Sequence, residues 1–403
     1  MNSSTRIRIM VMMFFNYLIW SAWYVTIGTF MGQTLKFEGA EIGLVYSALS
    51  IAAILSPVFI GKIADRYFAS EKVLGVLHLM CAALMYFAAI QDNFLWMYIA
   101  ILLYSLCYMP TIALTNAIAM AQMKDPGKEF PLIRVFGTLG WIVMGIMLSY
   151  WKIEAQNTPL IISAVVSLFF GLYSFSLPHL PPKKRAAKAG IVELLGLDAL
   201  ALMKNRSFAV LIICSLLISI PLAFYYAFTN FYLNEINFPD AAGKMTFGQM
   251  SEVLFMLLMP FMFRKLGVKW MIMIGMFAWV LRYIFFGYGD ADQLVWFLYG
   301  GIILHGICYD FFFVTGQIFV DRRAPASLKN SAQGMITMVT YGAGMLIGSW
   351  IAGYTVDYFT VDGAKQWKEI WMVPAVIAFV VLIIFSVFFT DDQRAAELKA
   401  QEA

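Results

Sequence analysis

The chain has 403 residues, of which 62% are hydrophobic and only 13% charged, with a formal net charge of +4. Soluble globular domains carry roughly a quarter charged residues, so this composition and a mean hydropathy of +0.77 exclude that class. The length leaves room for about a dozen helices of ~20 residues joined by short connections.

Arg6 and Arg8 precede an apolar run at 9–31 that is longer than a signal-peptide core, carries Trp20 and Trp23, and has no small-residue cleavage site. It reads as a first membrane span retained in the mature protein. A second span at 41–63 runs into GKIADRYFASEK (Gly61–Lys72). There Gly61 suits close helix approach, and Asp65 and Arg66 suit pairing or capping of helix ends. Spans at 71–90 and 94–117 follow. The fifth, 131–150, opens FPLIRVFGTLGW and sets Arg134, Thr138 and Trp141 at i, i+4 and i+7, on one helix face. That face offers a cation, a hydroxyl and a flat ring; the alternative is an Arg134 that snorkels to the cytoplasmic interface. A sixth span at 157–176 closes the first set.

The longest polar interruption is Pro178–Arg206. Its PPKKRAAKAG run reads as a cytoplasmic linker near anionic lipid, and 191–203 has the spacing of an amphipathic interfacial helix. Six more spans follow at 207–233, 246–263, 270–288, 293–318, 332–353 and 370–389. The eighth places Gln249 and Glu252 at i and i+3, an amide beside a carboxylate that together suit hydroxyl groups. The alternative is a hydrogen-bonded helix–helix clasp. Arg282, nearer the outer end of the ninth, reads as structural and within reach of Asp290 or Asp292. In the tenth, ILHGICYDFFFVTG sets His305 and Tyr309 at i and i+4, with Asp310 next, near the span centre.

Gly342, Gly344 and Gly348 read as a close-packing face, not a dinucleotide loop, since no strand precedes them. Pro57, Pro110 and Pro221 are kinks a span tolerates, and the abundant aromatics read as mostly lipid-facing or interfacial. Cys81, Cys107, Cys214 and Cys308 fall in apolar segments and behave as small hydrophobes. His78, His179 and His305 are too scattered for a metal site. No basic patch with interleaved aromatics points to nucleic acid, and no nucleophile elbow or HExxH run points to an enzyme.

Arg134, Glu252 and Asp310 therefore stand inside hydrocarbon, where Arg or Asp at a helix centre costs roughly 2.5–3.5 kcal/mol. Burial favours a protonated carboxyl and a nearby guanidinium an ionised one, the balance a proton carrier needs. The alternative is a static Arg134–Asp310 bridge. With both termini inside, 21 of the 28 Lys and Arg fall in cytoplasmic segments, five outside and two within spans, as the positive-inside rule requires. The expected partition is a six-helix bundle at 1–177, a cytoplasmic linker with an amphipathic helix at 178–206, a second six-helix bundle at 207–390 and a cytoplasmic tail at 391–403.

The Gly61–Lys72 run resembles the loop signature of the major facilitator superfamily. At the equivalent loop of the second half, FRKLGVKW (Phe263–Trp270) keeps the basic character but lacks the acid. The resemblance implies an all-α membrane protein of twelve transmembrane helices in two pseudo-symmetric bundles, with its site between them near the midplane. Over nearly its whole length the chain resembles the nucleoside–proton symporters of that superfamily, through LKFEGAEIGLVYSALSIAAILSP, SLCYMPTIALTNAI, FPLIRVFGTLGW, LLGLDALALMKN, QMSEVLFML, AWVLRYIFFGYGD, YDFFFVTG and SAQGM. The resemblance assigns nucleoside binding to Arg134, Thr138, Gln249, Glu252, Tyr309 and Asp310, with an aromatic at Trp141. Departures lie in the site itself: Ala223 and Tyr226 stand where the family has a glutamine and an asparagine. His305 replaces a tyrosine and Tyr309 a phenylalanine.

The expected function is proton-coupled import of nucleosides by alternating access across a bacterial inner membrane, by a monomer in the lipid bilayer with no cofactor beyond the proton gradient. Glu252 and Asp310 exchange protons, and Arg134, Thr138, Trp141, Tyr226, Gln249, His305 and Tyr309 meet substrate. Gly61, Asp65 and Arg66 form the conformational loop. A carrier of sugars, oligosaccharides or another polar metabolite is the alternative, and a non-transporting membrane sensor is a further one.

Overall fold

The computed structural model describes residues 3–66, 68–181, 197–325 and 328–391. An apolar chain satisfies its backbone without water by winding into helices, and nearly all the described residues do so. In chain order the helices are α1 (Ser3–Tyr24), α2 (Ile27–Thr29), α3 (Gly39–Arg66), α4 (Ser70–Ala89), α5 (Phe94–Ala121), α6 (Pro126–Tyr150) and α7 (Thr158–Ser174). A 3-10 turn at Leu197–Lys204 leads to α8 (Arg206–Glu235), α9 (Ala241–Tyr288), α10 (Val295–Ile303), α11 (His305–Tyr309) and α12 (Thr315–Arg323). The last are α13 (Lys329–Thr337), α14 (Met345–Tyr358) and α15 (Trp367–Phe388), with a two-stranded antiparallel ribbon pairing Thr360 with Lys365 before α15.

Ten helical stretches among the described residues are long and apolar enough to cross a membrane, and Thr158–Ser174 is a shorter apolar helix. The expected eighth and ninth spans form one 48-residue run, α9, which Gly267 breaks with φ 71° and ψ 176°. Only glycine adopts that conformation readily, and an unbroken helix of this length would reach roughly 72 Å. Three stretches wind as π-helix: Phe30–Thr34, Asp310–Val314 and Met338–Gly344.

The chain divides into two compact units, Met1–Ala189 with Tyr226–Thr246, and Gly190–Tyr225 with Phe247–Ala403. The boundaries therefore pass through α8 and α9. In the first unit α1 packs against α6 and α7, α4 against α5 and α7, and α3 against α5. Its apolar core gathers Leu18, Ala22, Met144, Leu148, Ile153 and Ala242. Gly140 makes the α1–α6 contact possible, since a Cβ there would lie 2.3 Å from the Phe14 carbonyl oxygen. In the second unit Met259, Met271 and Phe311 form a core, and Gly275 lets α9 meet the backbone of Phe311 and Phe312.

A set of aromatics also lies inside the helix packing: Trp23, Trp279, Trp371, Tyr46, Tyr104, Tyr108, Tyr225, Tyr232 and Tyr283 are among the largest fully buried side chains. Ring stacking and polar tips explain this, as where the Trp23 Nε1–H donates to the Tyr104 hydroxyl at 3.2 Å. The described part of the expected amphipathic helix, Leu197–Lys204, is 3-10 helix, while 191–196 lie outside the described residues. The backbone is helical through Arg66, but the side chains of Gly61, Asp65 and Arg66 lie outside the described residues.

Candidate functional site

In the first unit, the face of α6 that carries Arg134, Thr138 and Trp141 meets an aromatic stripe of α1. Tyr17, Trp20 and Tyr24 recur at i, i+3 and i+7 and so share a helix face. The Arg134 guanidinium carbon lies 3.9 Å from the Tyr17 ring centroid, a cation–π contact that holds the charge with no carboxylate in ion-pair range among the described residues. Trp141 lies edge-on to Trp20, with ring centroids 5.4 Å apart, and 6.5 Å from Tyr24. Tyr24 also contacts Tyr226 at 5.4 Å. The structure thus joins Trp141 and Tyr226 through one shared ring. Thr138 is half-buried one turn beyond Arg134.

In the second unit, Glu252 and His305 come together because two glycines allow backbone contact. A Cβ on Gly306 would lie 2.5 Å from the Ser251 carbonyl carbon, and one on Gly248 would lie 3.1 Å from the His305 Cβ. The Gly306 amide donates to Ser251 Oγ at 3.0 Å, tying α11 to α9. His305 Nε2 then stands 3.9 Å from Glu252 Oε2, with the Glu252 side chain 23% exposed and that of His305 2%. Gln249 is half-buried one turn before Glu252. The Tyr309 ring lies 5.9 Å from His305, and its hydroxyl bonds that of Tyr341.

Asp310 is fully buried and opens the π turn Asp310–Val314, a winding that often marks functional positions in helices. Neither of its carboxyl oxygens has a hydrogen-bond partner among the described residues. An unsatisfied buried carboxyl is costly, so this position is not explained by stability.

Arg282 is the residue that spacing alone misread. It does not reach Asp290, whose carboxyl accepts from the amides of Asp292 and Leu294 at 2.8 and 3.0 Å. Instead it is fully buried, lies 3.4 Å from the Tyr225 ring centroid, and bonds His305 Nδ1 through Nη1 at 3.1 Å. An arginine within an apolar span was itself a sufficient signal. Ala223 packs against α14, where a Cβ on Gly348 would lie 2.8 Å from its own.

Glu154, between α6 and α7, carried no motif. It is 6% exposed and accepts from Ser149 Oγ at 2.5 Å, from Nδ2 of Asn230 and Asn234 at 2.8 and 2.9 Å, and from the Ala242 amide at 3.1 Å. Thr29 Oγ1 donates to Asn230 Oδ1 at 2.5 Å, extending the clasp to α2. All of these groups belong to the first unit.

A helical chain with ten stretches long and apolar enough to cross a membrane, a break at Gly267 and ionisable groups buried within its spans has the make-up of a multi-pass membrane transporter. The fold is that of the crystal structure of nucleoside transporter NupG, matched with a TM-score of 0.89 and 33% identity over 96% of this chain and 99% of that one. The model of the family described as nucleoside H+ symporters matches residues 1–394, and the chain belongs to that family. Among its relatives, YegT of Escherichia coli (strain K12), which bears a provisional name as a nucleoside transporter, is 41% identical over 99% of this chain and 97% of its own length. The xanthosine permease of the same organism is 35% identical over 98% of both chains. These relatives are transporters, and the chain is not an enzyme.

Proposed function

We propose that the chain imports nucleosides together with protons, by alternating access of two six-helix bundles at 1–177 and 207–390 joined by a cytoplasmic linker at 178–206. Dividing Ala241–Tyr288 at Gly267 and adding Thr158–Ser174 to the ten long stretches supports twelve spans. The excess of Lys and Arg in alternate loops supports cytoplasmic termini, with 391–403 as a cytoplasmic tail, and relatives in Escherichia coli support a bacterial inner membrane. The carrier acts as a monomer, with Gly61, Asp65 and Arg66 as its conformational loop.

The observation that carries the coupling is Asp310, fully buried with neither oxygen bonded among the described residues. Asp310 and Glu252 exchange protons. Arg134, Thr138, Gln249, His305 and Tyr309 hold the nucleoside together with Glu252 and Asp310, and Trp141 and Tyr226 line its place.

Uptake of labelled uridine or adenosine into membrane vesicles, with nucleosides, free bases and sugars as competitors, tests the substrate class. Saturable, gradient-dependent uptake competed by nucleosides is expected; competition by sugars alone would overturn the reading. Asp310→Asn should abolish uphill accumulation while leaving downhill exchange measurable. Undiminished accumulation by that variant would remove Asp310 from the coupling.

A further inference from the structure

Arg282 is a fully buried guanidinium with no carboxylate in ion-pair range among the described residues. Its charge is held by rings: Tyr225 at 3.4 Å, Trp279 at 5.3 Å and Phe286 at 5.8 Å from the guanidinium carbon. Such contacts stabilise a desolvated cation. The Tyr225 ring also stacks on His305, with centroids 5.1 Å apart and planes 24° from parallel. One ring therefore sets the positions of both the arginine and the histidine. At their meeting point Arg282 Nη1 lies 3.1 Å from His305 Nδ1.

A guanidinium has donors and no acceptor. The nitrogen it meets must therefore offer a lone pair, so Nδ1 of His305 carries no proton. A neutral imidazole then carries its proton on Nε2, the nitrogen that faces Glu252 Oε2 at 3.9 Å. The chemical consequence passes along a line of three side chains. Arg282 donates to His305, and His305 presents an N–H, not a lone pair, to Glu252. The histidine side chain is buried, while that of Glu252 is 23% exposed.

We propose that Arg282 is a positioning residue for transport: through Nδ1 it commits His305 to the Nε2–H tautomer, which turns an N–H, not a lone pair, toward Glu252 across a 3.9 Å separation that is longer than a hydrogen bond in this structure. This rests on the reading of Glu252 as a substrate- and proton-handling residue. Without Arg282 the imidazole is free to take the other tautomer and turn a lone pair toward Glu252, which only a protonated carboxyl satisfies. Coupling and substrate orientation then lose their fixed reference.

The primary test needs no variant transport activity. The chain has three histidines, so 15N-histidine labelling and long-range 1H–15N NMR of the purified wild-type protein resolve each ring, with His305→Gln assigning the third. An unprotonated Nδ1 and a protonated Nε2 on His305 are expected; a protonated Nδ1 overturns the proposal. Arg282→Gln should yield a mixture of tautomers, and an unchanged tautomer in that variant also overturns it. In uptake, Arg282→Gln should raise KM about five- to ten-fold, the range one oriented hydrogen bond supports. Because a glutamine amide carries its own donor near the Nε2 position, Arg282→Gln should add much less in a His305→Gln background, and His305→Gln should lose less affinity than His305→Asn. Equal losses in both backgrounds would mark Arg282 as merely structural. A chain that carries no nucleoside yet shows the Nε2–H tautomer refutes the proposed function alone; an active nucleoside carrier with Nδ1–H refutes the role of Arg282 alone.

Discussion

Replacing Glu154 by glutamine measures how far one buried carboxylate holds the first unit together. Oε1 accepts from Ser149 and shares the Ala242 amide with Oε2, which also accepts from Asn230 and Asn234. The chain turns sharply around this point, with left-handed φ at Lys152 (55°), Asn237 (58°) and Asp240 (55°), conformations that cost energy outside glycine. Glutamine keeps the shape but has one acceptor oxygen and no charge. With its oxygen toward the asparagines, its amide nitrogen meets Ala242 N–H and Ser149, whose hydroxyl can rotate to accept. A bond to a charged group is worth about 1.5–3 kcal/mol and a neutral one about 0.5–1.5. Two weakened asparagine bonds and one poorly satisfied amide then total about 2–4 kcal/mol, roughly a 30- to 700-fold shift in equilibrium. Glu154→Ala removes the shared acceptor of Ser149, Asn230 and the Ala242 amide, leaving Asn234 only its bonds to Asn230, and should be worse. Cys81, Cys107, Cys214 and Cys308 are all buried, so a thiol-reactive fluorophore reports unfolding of the purified protein. At one scan rate, the midpoint of Glu154→Gln should fall by roughly 4–15 °C and that of Glu154→Ala further. A glutamine variant that melts within about 1 °C of wild type, or an alanine variant no worse than glutamine, would refute the reasoning.

Gly306→Ala should abolish uptake with little loss of expression, because its Cβ would meet the Ser251–Glu252 backbone at 2.5–2.6 Å and force α11 away from α9. Gly316→Ala, where the nearest atom would be 3.5 Å away, should leave uptake near wild type, so equal behaviour of the two variants would show that helix approach does not place the site. Arg134→Lys keeps the charge but loses the planar stack on Tyr17. It should raise KM about ten-fold, corresponding to ~1–2 kcal/mol for a desolvated cation–π contact, and an unchanged KM in initial-rate uptake would separate the stack from binding.

The apolar runs are legible in sequence because a lipid-embedded backbone has few options, and a run of about 20 apolar residues winds into a helix whatever surrounds it. For the same reason Arg134, Glu252 and Asp310 stood out, since charge in hydrocarbon is rare. Helical spacing alone placed Arg134 and Trp141 on one face, and the structure sets that face against Tyr17 and Trp20. The sequence also determined the family, through motifs spread along the whole chain.

Tertiary structure decided which partners those side chains have. Arg282 has acidic residues eight and ten positions away, yet it turns to His305, 23 positions distant, because Tyr225 from α8 supplies a ring for it to lie on. Glu154 has no spacing that announces it; its donors come from α6, from α8 and from the start of α9. Ala223 belongs to a helix–helix contact with Gly348, a pairing that depends on α8 and α14 lying side by side. Periodicity along one helix says which residues share a face, whereas a hydrogen bond or a stacked ring depends on the helix that packs opposite. The three embedded charges could therefore be found from the sequence, while the arginine–histidine–glutamate line and the Glu154 clasp exist only once the helices are packed.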